Sequence, residues 1–152
     1  MKKKIKNNTL GVTQVISFIL VFILVSSMMG VTVFVSGELI KKRSELLSHK
    51  IAKDILEYVA YTVIECAAVI QTFSNASYSK TLELPTYING KNYYIEISGD
   101  FIYLNLTDGS VKEKTTLYNQ NKLCKGISGK VTISDGEVRI IGDETGYIQL
   151  LD

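Results

Sequence analysis

From Leu10 to Val35 the chain runs 26 residues without a charged side chain, and nothing else in it restricts the fold as strongly. An α-helix rises ~1.5 Å per residue, so about 20 apolar residues cross the ~30 Å hydrocarbon layer of a bilayer. This run is long enough to cross with tilt or to project beyond one face. Lipid offers a backbone no hydrogen-bond partners, so a segment placed there has to be helical. The sequence therefore predicts one membrane-spanning helix near the N-terminus.

The formal charge of +2 is unevenly placed. Lys2, Lys3, Lys4 and Lys6 precede the apolar run, and without residues 1–11 the balance becomes −2. The basic character belongs to a terminal segment, so no nucleic-acid partner is expected. Cytoplasmic flanks are enriched in Lys and Arg. The four leader lysines outweigh the far flank, where Lys41, Lys42, Arg43 and Lys50 are offset by Glu38 and Glu45. This places the N-terminus in the cytoplasm and the remainder outside it. Two further features suit an extracytoplasmic location. Sequons begin at Asn75 and Asn105, which makes both candidate glycosylation sites, and Cys66 and Cys124 are a candidate disulfide pair in an oxidising compartment.

Past Ser36-Gly37, where the helix has an opportunity to bend, a second helical pattern begins. Leu47, Ile51, Ile55, Val59, Val63, Cys66, Ile70 and Phe73 recur at spacings of three and four, with Leu46, Leu56, Ala60, Ala67 and Ala68 beside them. Lys50, Lys53, Asp54 and Glu57 mark the opposite, solvated face. From Lys80 the period changes to two. Asn89-Gly90, Gly99-Asp100, Asp108-Gly109 and Asp135-Gly136 punctuate about seven short strands in what reads as a meander. The expected fold class is α+β: a long N-terminal helix, its first half transmembrane, with a small antiparallel β-sheet head packed on its second half. The divisions are a basic leader over 1–11, the membrane helix over 12–36, an amphipathic helix over 37–75, and the β head over 80–152.

Groups able to do chemistry are scarce. His49 is the only histidine, just past a basic flank, and is expected to be solvated or to face lipid headgroups. Two cysteines without histidines beside them do not make a zinc site. Gly126-Ile127-Ser128-Gly129-Lys130 has glycines at the wrong distance for a phosphate loop and no Ser or Thr after the lysine, and it reads as a turn. Asp108, Asp135 and Asp143 stand near glycines in turns, without calcium-loop spacing. The chain is expected to be no enzyme, and to use no cofactor or metal.

The junction Leu10-Gly11-Val12-Thr13-Gln14-Val15-Ile16-Ser17-Phe18-Ile19-Leu20 resembles the start of archaeal type IV pilin-like proteins, which carry a class III signal peptide. The segment Leu84 to Ile97, with its Leu84-Pro85, Ile88-Asn89-Gly90 and Tyr93-Tyr94-Ile95 elements, is similar to strands of pilin-like heads. Leu10 stands where that family usually has Lys or Arg, and Ile16 where bacterial pilins have glutamate. The resemblance implies that a prepilin peptidase cuts between Gly11 and Val12. It also implies that the exposed helix then assembles with other pilin-like subunits into a surface filament or a related adhesion or secretion machine. Ser26 and Gly30 form a small-xxx-small pair suited to close helix packing. The alternative is a single-pass anchor whose leader stays uncut and whose head is an extracytoplasmic binding module.

Overall fold

The structure is a computed structural model that describes residues 3–73, 77–117 and 124–151, with side chains from Gly11 onward. One α-helix, α1 (Lys3–Thr72), is followed by seven strands: β1 (Tyr78–Glu83), β2 (Tyr93–Ser98), β3 (Phe101–Leu106), β4 (Lys112–Thr116), β5 (Gly126–Thr132), β6 (Glu137–Gly142) and β7 (Tyr147–Leu151). The fold is α+β, as the change of period from helical to alternating requires. The helix continues through Ser36-Gly37 without a break. The chain divides into two compact units, 1–43 and 44–152, each described by itself.

In the first unit every side chain from Gly11 to Arg43 is exposed. Two side-chain hydroxyls there are satisfied within the helix, with Ser27 donating to the Ile23 carbonyl at 2.8 Å and Thr32 to the Met28 carbonyl at 2.9 Å. An apolar segment needs such local bonding if no water surrounds it.

In the second unit the rest of α1 lies on the sheet, whose strand order is β1-β6-β7-β5-β2-β3-β4. The helix contributes Ala52, Leu56, Val59, Val63, Cys66, Ala67 and Ile70 to the core. The sheet supplies its inward row, including Leu82, Tyr93, Ile95, Leu104, Val131, Ile140 and Ile148. Burying each large aliphatic side chain contributes about 1.5–3 kcal/mol, so this shared interface is what stabilises the unit. Among the described residues Ser48 and Thr62 are the buried polar ones, and each hydroxyl donates to the carbonyl four residues earlier. The Tyr93 hydroxyl reaches the Pro85 carbonyl at 2.6 Å, and burial pushes its pKa above the ordinary tyrosine value.

The helical stripe read from the sequence needs correction. Leu46, Leu47, Ile51, Ala68 and Phe73 are exposed. Successive steps of four residues each overrun a turn by about 40°, so Leu47 lies about 160° around the helix from Val63. The rest of the stripe, Ile55, Leu56, Val59, Ala60, Val63, Cys66, Ala67 and Ile70, is buried as expected, and the buried face continues back through Ala52 and Ser48. Lys50, Lys53, Asp54 and Glu57 are exposed, as expected.

The sheet is not the expected meander: β2-β3-β4 and β6-β7 are sequential neighbours, but β1 pairs with β6, β5 lies between β7 and β2, and β7 separates β5 from β6. Adjacent pairs are antiparallel except β5 and β7, which pair in parallel through Gly126↔Tyr147, Ile127↔Ile148 and Ser128↔Gln149. Residues 126–130 are therefore strand and not turn. Gly129 makes this pairing sterically feasible, because a Cβ there would lie 2.7–2.9 Å from Leu150. The Gly99-Asp100 and Asp108-Gly109 turns close the β2-β3 and β3-β4 hairpins, and Asn89-Gly90 closes a tight turn at an isolated bridge, whereas Asp135-Gly136 joins two strands that do not pair. Asn89 and Gly90 both have positive φ, and Ile88 and Lys91 exchange backbone hydrogen bonds at 3.0 and 3.1 Å around them.

Candidate functional site

The candidate processing site, Gly11 and Val12, lies within the helical span of α1, with both residues exposed. A peptidase needs extended backbone, so one turn must open for cutting. Glycine lowers that cost, being about 0.5–1 kcal/mol less favourable than alanine inside a helix. Nothing lies within 4 Å of the position a Gly11 Cβ would take.

Farther along, Ser26 and Gly30 sit one turn apart on the exposed apolar helix, as their spacing requires. Gly30 opens a shallow apolar depression with Val25, Met29 and Val33, and no atom lies within 4 Å of where its Cβ would be. Among the described residues, one helix is long and apolar enough to cross a membrane, and it is the one that contains this depression.

The head fastens α1 to the sheet with polar contacts that periodicity could not reveal. His49 Nδ1 lies 2.7 Å from Glu113 Oε1 on β4, so the histidine is in hydrogen-bond contact with the sheet and not only solvated. Asn89 donates to the Ser44 hydroxyl at 2.7 Å. Lys80 on β1 donates to Glu65 at 2.7 Å, and that bond raises the lysine pKa. His49, Ser48, Asn89, Lys91 and Ser110 border a small polar cavity of about 110 Å³. Beside it Lys91 bonds Asp108, whose other oxygen accepts from the Ser110 hydroxyl at 2.7 Å and the Ser110 amide at 3.0 Å. Lys91 first, then these Ser110 bonds, hold the Asp108 carboxyl well below its usual range. Asp143 is lowered too, mainly by the Thr145 hydroxyl at 2.6 Å and then the Tyr147 amide at 2.9 Å. These aspartates organise turns, and among the described residues no group of three or more His, Cys, Asp or Glu is placed to hold a metal.

The remaining candidate residues fall in the head. Cys66 is buried on α1, and Cys124, two residues before β5, is half-buried against the same core; no disulfide joins them in this structure. Burial pushes the Cys66 thiol up to about 11, with further contributions from Cys124 and Glu65. Asn105 is on the outer face of β3, opposite Tyr94 on β2 and Lys112 on β4. Asn75 lies outside the described residues.

The same outer face carries an aromatic and basic patch that the sequence reading missed. Lys130 lies 4.3 Å over the Tyr94 ring and Lys114 5.1 Å over Phe101, while Phe101 and Tyr103 are 6.1 Å apart. These residues sit on four different strands, so only cross-strand register reveals the cluster.

No curated protein and no solved structure matches the chain. A family model matches residues 7–147, which takes in the apolar helix and nearly all of the head. The chain belongs to that family, DUF7266, a family of unknown function.

Proposed function

We propose that the protein is a type IV pilin-like subunit whose apolar helix is first a membrane anchor and, after removal of the leader, the packing element of a surface filament or related adhesion or secretion machine. One observation carries this reading: the entire segment from Gly11 to Arg43 is exposed, and its first 25 residues are uncharged. Such a surface is stable only against lipid or other apolar helices. The orientation has the leader lysines in the cytoplasm and the head outside, and the role is structural rather than enzymatic. Cleavage between Gly11 and Val12 removes four lysines, which lowers the cost of moving the helix end out of the inner leaflet. Helix-to-helix contacts near Ser26 and Gly30 then replace lipid contacts.

Intact mass or N-terminal sequencing of protein taken from membranes tests the reading. Expected is a chain beginning at Val12 when a prepilin peptidase is active, and retention of residues 1–11 in a Gly11→Asp variant. A full-length chain in the presence of active peptidase overturns the filament reading. The second reading, an anchored binding module with its leader uncut, then takes over. What supports that one is the aromatic and lysine patch formed by Tyr94, Phe101, Tyr103, Lys114 and Lys130.

A further inference from the structure

The register of the sheet converges on Cys66 from two directions. A Cβ built on Gly142, the last residue of β6, would fall 2.7 Å from the Cys66 sulfur and 2.1 Å from Ile70. The sulfur therefore rests against the backbone at that end of β6. Gly142 pairs with Ile148 on β7, and Asp143 donates its amide to the Tyr147 carbonyl. Tyr147 in turn pairs with Gly126, and the Lys125 amide donates to the Gly146 carbonyl at 2.8 Å. These pairings carry the start of β5, and Cys124 with it, to the corner of the sheet under which Cys66 is buried. Cys124 packs against the core that contains Cys66.

The chain has two cysteines in all, 58 positions apart, one on a helix and one just before a strand. That the fold delivers both to one corner is what a bond between them would require. We propose that Cys66 and Cys124 form an intramolecular disulfide that fastens the start of β5 to α1. The inference goes beyond the filament reading and needs only that the head lie in an oxidising compartment. The oxidant is a protein or small-molecule disulfide. Cys124, the more accessible thiol, attacks it as the thiolate, forming a mixed disulfide and expelling one partner thiolate. The Cys66 thiolate then attacks the Cys124 sulfur and expels the second. The two cysteine protons end on the partner's two sulfurs, and two electrons reduce the partner's disulfide. The parallel pairing of β5 with β7 covers only three residues, so a covalent tie beside it holds the shortest seam of the sheet.

The test is alkylation without reductant of the full chain isolated from membranes, followed by intact mass. Expected is an unlabelled protein that gains about 2 Da on reduction and then takes two labels. In a Cys124→Ser variant, Cys66 should take one label under denaturing conditions without reductant. Reduction should lower the thermal midpoint of the wild type and leave that of Cys124→Ser unchanged. Quantitative labelling of both cysteines before reduction, or a reducible dimer in place of an internal bond, overturns the proposal. Leader processing is read from the same mass spectrum, so the two readings fail separately: two labels on a chain starting at Val12 overturn the disulfide alone, and an oxidised chain retaining residues 1–11 overturns the filament alone.

Discussion

Two halves of one helix are built for different surroundings, and they reach their apolar character by opposite rules. Between Gly11 and Val35 apolar side chains point in every direction, and all are exposed. Between Ser48 and Ile70 only one face is apolar and buried, while Lys53, Asp54 and Glu57 remain outside. Against lipid no single direction of the first half matters, so rotating the helix about its axis there changes little. In the second half direction decides everything, because the sheet covers one side only. A sequence reading therefore needs only composition for the first half and angular precision for the second.

Introducing the same charge into each half should produce the largest contrast. Val59 has no exposed surface, and Val59→Asp buries an unpaired carboxylate at a cost of about 4 kcal/mol or more. Denaturant unfolding in detergent should show the head unfolded, whereas Val25→Asp should leave its unfolding midpoint unchanged. The latter should instead lower the membrane-inserted fraction, since an acid near mid-bilayer costs about 2.5–3.5 kcal/mol. Loss of head stability in Val25→Asp would show that the halves are not independent.

Glycines give a smaller version of the contrast. Gly142→Ala places a methyl 2.1 Å from Ile70 and 2.7 Å from Cys66, and overpacking of this kind costs about 1–3 kcal/mol. Gly30→Ala meets nothing in the isolated chain and should leave head stability untouched. Gly30→Ile should also leave insertion intact while reducing yield of assembled filament. Equal loss of inserted protein and of assembly would remove Gly30 from the packing role.

The smallest effect is expected from pH. Asp108 and Asp143 are depressed below the ordinary aspartate value of 3.8, so each favours the folded head when ionised. Their contribution is fully present above about pH 4 and is lost as pH falls through the folded values. Thermal midpoints should drop in this acid range, less so in an Asp108→Asn, Asp143→Asn double variant. Insertion of the apolar segment, which has no carboxylate, should not change over the same range.

Features set by neighbours along the chain were legible in advance. The charge-free run, the Asn89-Gly90 turn and the alternation of Phe101 to Leu106 needed only local patterns, and the structure reproduces each. The α+β plan followed from placing an apolar helical stripe beside too small a sheet. What escaped was long-range or angular. Leu47 and Ile51 obey a spacing of four yet drift off the buried face. Residues 126–130 look like a turn because glycines are usually there for φ, whereas Gly129 also admits the backbone of Leu150. His49 meets Glu113 across 64 residues, and no periodicity encodes such a pairing. The cysteines and sequons were visible as residues, but only the register shows that Cys66 and Cys124 share a corner.

The position of β7 has a consequence for how the head is made. β5 and β6 follow each other in sequence but are not neighbours; β7, made after both, fits between them. Until residues 147–151 emerge, the sheet exists as two pieces with a gap one strand wide and two open edges. Strands of both pieces share their core with α1 in the finished head. Unpaired edges recruit other chains, so this interval is when a nascent head is most exposed to aggregation and proteolysis. A chain lacking residues 147–151 would keep β5 and β6 without the strand that pairs with both.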